Sequence, residues 1–152
     1  MDTIRVAERT QRALRYGYRE ARRVGAPALT LEHLLLGLLN DGAGEVGPGV
    51  VSGMFETLGI PKALLENTVR GPLQTGVPLT EDFRVSLSPD VPKALEIATN
   101  EARAFGHDYV GAEHLLLGVI QSESPASVLL AEAGLDAERA RTAIRRILGD
   151  AA

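Results

Sequence analysis

Apolar and small residues recur at spacings of three and four along residues 8–24, at Ala13, Leu14, Gly17, Ala21 and Val24. That period puts them on one face of a helix, and Gly25 with Pro27 ends it. Leu31–Leu39 is almost wholly apolar, which predicts a short, central helix buried on every side. Val50–Leu58 reads as a third helix closed by Gly59. Pro61 suits the first position of a fourth, running to about Arg70. The same order then recurs over 89–105, 112–121, 125–133 and Ala137–Leu148, with Ser124 and Asp136 as N-caps of the last two. Between the two sets, "GPLQTGVPLTEDFRVSLS" is rich in Gly and Pro and reads as a linker with room for a short extended piece. No alternating pattern is strong enough to change an all-α expectation.

The recurrence extends to the letters. "TLEHLLLGLL" at Thr30 to Leu39 and "GAEHLLLGVI" at Gly111 to Ile120 share Glu-His-Leu-Leu-Leu-Gly, 81 positions apart. At the same offset Ala13-Leu14 falls on Ala94-Leu95, Glu20-Ala21-Arg22 on Glu101-Ala102-Arg103, and Gly25 on Gly106. The register then shifts to 75, matching Gly59-Ile60 with Gly134-Leu135, so the first copy carries six extra residues inside "NDGAGEVGPGVVSG". This is an internal duplication. It predicts two four-helix repeats, eight helices in all, related by a pseudo-twofold axis within one domain: repeat one at about 4–70, a linker over 71–87, and repeat two at about 88–149.

Composition narrows the chemistry. Apolar residues make up 45% of the 152 and aromatics 4%, with no Trp, so the core is aliphatic. Cysteine is absent, which removes disulfides, thiolate nucleophiles and Cys-ligated metals. No apolar run is long enough for a membrane span, and the N-terminus lacks the apolar stretch of a secretory signal; a cytoplasmic location is expected. The net charge of −4 argues against nucleic acid as the main partner.

A duplicated four-helix unit with "EHLLLG" at the head of its second helix, together with "GHDYVGAEHLLLGVI" at Gly106 to Ile120, resembles the Clp N-terminal domain, and most closely its ClpC type. In that family the domain precedes the AAA+ modules of ClpA, ClpB and ClpC unfoldases. The resemblance covers about residues 4–149. No Gly-x-x-x-x-Gly-Lys-Ser/Thr occurs, so no phosphate-cradling loop and no ATPase are expected, and the resemblance is to a free-standing domain of this kind. The family opens each repeat with Phe-Thr; the matching pairs are Val6-Ala7 and Leu87-Ser88. Ser88 keeps a capping hydroxyl that Ala7 lacks. The family's Thr before Glu-His is replaced by Leu31 and Ala112, with Thr30 able to cap one residue earlier.

The resemblance implies that Glu32 and Glu113 hold the guanidinium of phosphoarginine, with its phosphate near a first-helix N-terminus. Val6, Ala7, Leu87 and Ser88 complete the expected peptide site at the repeat seam. Paired hydrogen bonds suit carboxylate to guanidinium; independently of any ligand, a glutamate in a first turn stabilises its helix. His33 and His114 have only Leu and Gly at i+3 and i+4, so they read as structural, hydrogen-bonded histidines and no metal is expected. His107 reads as a loop residue at a helix end. Arg5, Arg9, Arg12, Arg15, Arg19, Arg22 and Arg23 form a basic stripe opposite the apolar one, either a solvated face or a dock for an acidic partner. The equivalent second-copy helix lacks it. The Gly-rich insertion within 41–53 is a tolerated loop or a reshaped groove.

No nucleophile elbow or metalloprotease helix occurs, so a binding protein is expected, not an enzyme, and no cofactor. Implied partners are a Clp adaptor, substrate protein or Clp unfoldase, with the chain acting as accessory or decoy of a Clp protease. Two alternatives remain. One is sequestration of the cyclic-peptide antibiotics that target ClpC. The other is a regulatory scaffold using the arginine stripe, chiefly Arg5, Arg9, Arg12 and Arg19. Neither a nucleic-acid nor a membrane partner is expected.

Overall fold

The computed structural model describes residues 5–40, 49–71, 73, 76–79 and 85–149. Eight α-helices lie among them: α1 Glu8–Arg23, α2 Leu31–Leu39, α3 Val50–Leu58, α4 Lys62–Arg70, α5 Asp90–Ala104, α6 Ala112–Ile120, α7 Pro125–Glu132 and α8 Ala137–Leu148. The all-α expectation holds, with helix ends displaced by a residue. Pro61 is the N-cap of α4, not its first helical residue, with extended backbone at φ −72° and ψ 112°. Gly59 closes α3 in the left-handed region at φ 69°. Ser124 and Asp136 cap as expected, accepting from the backbone N–H of Ser127 and Arg139.

α2 and α6 form the centre. Every residue of α2 except Glu32 is buried, and in α6 all but Ile120 are. A helix apolar on nearly all sides must be surrounded by others, and α1, α3 and α4 pack round α2 as α5, α7 and α8 do round α6. Helices of different repeats also meet, with α2 on α6 and α7, α3 on α8, and α4 on α7. One apolar cluster runs through both repeats, with Phe55 among its largest fully buried side chains.

Four two-residue strands form, of which β3 alone falls where a short extended piece was expected: β1 Arg5–Val6, β2 Ala28–Leu29, β3 Ser86–Leu87 and β4 Tyr109–Val110. β1 pairs in parallel with β4, and β2 with β3. Each pairing therefore joins one repeat to the other. The segment expected to be a linker does more than span. Gly76 and Leu79 donate backbone N–H bonds to the carbonyls of Val24 and Arg22 at 2.7 and 2.9 Å. The Val24 carbonyl lies past the last turn of α1, and the Arg22 carbonyl also accepts from Gly25 N–H at 3.2 Å, so the segment adds to the capping of the helix end. A side chain on Gly25, which has φ +73°, would strike the Val77 carbonyl. The Gly-rich insertion falls largely on 41–48, outside the described residues.

Candidate functional site

The parallel strand pairs decide where the helix starts lie. β1 leads into α1 and β4 into α6, so those two N-termini emerge side by side. Ala7 N–H donates to the Val110 carbonyl at 3.0 Å, and Thr10 Oγ1 donates to the same oxygen at 2.7 Å. At the second seam β2 leads into α2 and β3 toward α5, and Ser88 N–H donates to the Leu29 carbonyl at 2.8 Å. The residues singled out in the sequence thus fall into two equivalent groups, not one cleft. Val6 and Ala7 of repeat one stand at the seam with α6 and its Glu113. Leu87 and Ser88 of repeat two stand at the seam with α2 and its Glu32. Val6 and Leu87 are equally exposed, at 44%. Paired helix N-termini offer unsatisfied N–H groups and a favourable field for an anion.

The two glutamates are not equivalent in detail. Glu32 is half-buried; burial raises its pKa above the ordinary carboxylate range, its own backbone N–H opposes that, and the nearby charge of Asp90 adds to it. Asp90 lies in the first turn of α5, so Glu32 faces the helix start of the other repeat. Glu113 is buried, 5% exposed, and its carboxylate folds back over Gly111: a side chain at Gly111 would overlap Glu113 Oε1. In the first repeat that N-cap position is Thr30, and Glu32 stays partly exposed. At the start of α1, Ala7 provides no side-chain cap. Nor does Ser88 cap α5 through its hydroxyl as expected, because Pro89 takes the N-cap position with helical backbone.

The duplicated histidines serve the helix starts. Each occupies the third helical position. His33 Nδ1 accepts from Thr30 N–H at 3.1 Å and lies 3.0 Å from Thr30 Oγ1. His114 Nδ1 accepts from Gly111 N–H at 2.8 Å. That places the proton of neutral His114 on Nε2, which donates to His107 Nδ1 at 2.9 Å. His107 is more than a loop residue. Its ring stacks between Phe105 (5.5 Å) and Tyr109 (5.0 Å), with His114 tilted against all three. The three rings come together through the turn that ends α5, with Phe105 still in helical backbone and Gly106 left-handed at φ +80°, so no regular sequence period announces the stack. Burial pulls the His114 pKa down to about 4, with a contribution from His107, and burial also lowers that of His33. Among the described residues no group of three or more His, Asp or Glu side chains is placed to hold a metal ion.

The arginine stripe lies opposite the buried face of α1, which consists of Thr10, Ala13, Gly17, Glu20 and Ala21. It is partly neutralised from within. Glu8 pairs with Arg12 at 3.4 Å and Arg15 at 3.3 Å, Glu20 pairs with Arg23 at 2.8 Å, and Arg5 approaches Asp108 at 3.9 Å. Arg19 is exposed; Arg9 and Arg22 are engaged in interactions of their own.

A duplicated all-α domain with two equivalent helix-start sites, each shared between the repeats, is the class of protein that these features define. The chain belongs to the Clp repeat (R) N-terminal domain family, whose model matches residues 5–133 and again 98–151. It is 32% identical over 146 residues to the negative regulator of genetic competence ClpC/MecB of Bacillus subtilis. That alignment covers 95% of this chain but 17% of the relative. Solved structures share the fold. The Hsp104 N-terminal domain of Candida albicans superposes with a TM-score of 0.74 at 15% identity, covering 97% of this chain and 93% of that one. The N-terminal domain of ClpD from Arabidopsis thaliana superposes with a TM-score of 0.65 at 21% identity, covering 95% of each.

Proposed function

We propose that the chain is a non-catalytic recognition domain that binds protein segments at its two seams, as the adaptor- and substrate-binding head of a Clp-type system or as its accessory or decoy. The observation that carries this reading is the placement of an acidic residue beside two converging helix N-termini at each seam. Such a pair suits a ligand that joins a guanidinium to an anion: the carboxylate takes the first and the N–H groups the second. Phosphoarginine has that chemistry. The two seams are not equally able. Glu32 is partly exposed where Glu113 is buried and folded over Gly111, and Ser88 offers a hydroxyl where Ala7 has none. The second seam, Leu87, Ser88 and Glu32, is therefore the dominant site.

Isothermal titration of the chain with a phosphoarginine-containing peptide tests this. Glu32→Ala is expected to weaken binding by about tenfold or more, about 1.4 kcal/mol, while Glu113→Ala changes it less. Equal binding by wild type and the double variant, with helicity unchanged, would rule the seams out. Because burial raises the Glu32 pKa, affinity is also expected to fall as pH drops into the range where Glu32 protonates. Sequestration of a cyclic peptide would use the same exposed Val6 and Leu87, and would show as competition in the same titration.

A further inference from the structure

The duplication builds a second pair of equivalent grooves away from the seams, and the two have diverged. One, of about 340 Å³, lies between α4 and α7 and is lined by Ile60, Leu64, Leu65, Thr68, Leu129 and Glu132, among others. The other, of about 250 Å³, lies between α3 and α8. At the 75-residue offset Thr57 and Leu58 of the second correspond to Glu132 and Ala133 of the first, and Arg139 corresponds to Leu64. The fold has a use for Arg139: it donates to the Gly134 carbonyl at 2.7 Å and tightens its own turn. Leu64, in the lining of the first groove, is 64% exposed. An aliphatic side chain left in water beside an open apolar groove adds nothing to the folded state, so its value lies in what covers it.

Charge indicates the occupant. Among the described lining residues Glu132 alone is charged, and it stands in the last turn of α7, where the helix dipole is negative. Lys62 at the start of α4 is turned away, its Nζ bonded to Ser52 Oγ at 2.7 Å. We propose that the α4/α7 groove docks an amphipathic helical segment of a partner protein, with aliphatic side chains three and four residues apart on Leu64, Leu65 and Leu129, and a basic residue on Glu132. Helix-in-groove recognition reads spacings of that kind. This surface is separate from the seams and stands whether or not they bind phosphoarginine.

The test is an amide NMR titration of the full chain with a capped amphipathic peptide carrying leucines at those spacings and one arginine, and with its citrulline counterpart. Shifts are expected at Leu64, Thr68, Leu129 and Glu132. Leu64→Arg, which installs the residue type of the equivalent position, should weaken binding by about tenfold or more. Glu132→Gln should lower affinity for the arginine peptide severalfold and leave the citrulline peptide unaffected. Shifts confined to the seams or to the α3/α8 groove, unchanged affinity in the Leu64→Arg chain, or no shifts at millimolar peptide would overturn the proposal. So would sedimentation showing a dimer that Leu64→Arg dissolves, since the groove would then be covered by a second copy.

Discussion

His114 touches a backbone amide, a second histidine and two aromatic rings, and it stays neutral to do so. Its pKa of about 4 lies below the ordinary value of 6.5. The unfolded chain therefore binds the proton first, and the stability that neutral His114 contributes is present above pH 6.5 and lost as pH falls from there toward 4. The full loss is of order 3 kcal/mol, with His33 adding in the same direction. Glu20 and Glu101 act below that window. Arg23, and then Arg70, lower the Glu20 pKa against its burial, and Arg141 does the same for Glu101. Their stabilisation is lost as pH drops below 4.5. Urea titrations at pH 7.5 and 5 should show the first loss, and His114→Asn, which keeps an acceptor for Gly111 N–H, should shrink it. The structural reading of these histidines was legible from their neighbours. The partner was not, because His107 reaches His114 only through the turn after α5. The matched Glu20 and Glu101 were legible as repeat positions, yet not as latches. Glu20 is held by Arg70 from α4, and Glu101 by Arg141 from α8 at 2.9 Å. Arg141 corresponds to Glu66, one turn before Arg70, so the same latch is made from different turns of equivalent helices. Glu20→Gln and Glu101→Gln should each cost about 1 to 3 kcal/mol and add when combined. Thermal melts of the three variants check this.

The motif Glu-His-Leu-Leu-Leu-Gly resolves, at the scale of the element, into separate physical tasks. The acid stands in a positive first turn, the histidine caps it, and the leucines fill the core. The glycine allows contact: a methyl at Gly37 would overlap the Ala13 carbonyl oxygen, and one at Gly118 that of Ala94. α1 and α5 therefore cross the central helices backbone to backbone, and the neighbours that would have to move are carbonyls, not side chains. Gly37→Ala and Gly118→Ala should each destabilise by about 3 kcal/mol or more, despite alanine's better helix propensity. Urea midpoints that rise in either variant would contradict the close crossing. The helices were readable because each spans several turns of a regular period. Apart from an extended piece in the linker, the strands and their pairing were not, because two residues carry no period, and what makes Arg5–Val6 and Ser86–Leu87 extended is a partner about a hundred or sixty residues away. That omission mattered for the site, since the strand pairs decide which glutamate stands beside which helix start.

On the scale of the molecule, both strand pairs and several helix contacts join the repeats. A fragment of repeat one alone would leave β1 and β2 without partners and the inner sides of α2, α3 and α4 uncovered. Such a fragment is expected to lose most of its helicity by circular dichroism, and mixing it with the complementary fragment should restore it. A native-like spectrum from either fragment alone would contradict this. The reciprocal exchange of first strands is also the geometry that two identical chains adopt across an isologous interface. Joining the partners on one polypeptide makes their association independent of concentration. It also removes the demand that both partners be alike. Where a symmetric homodimer must carry every substitution twice, this chain placed a stripe of arginines along α1 and not α5, an aromatic stack after α5 and not α1, and an open leucine in one groove where the other has a tethered arginine. Duplication supplied the architecture, and fusion supplied the freedom to specialise each half.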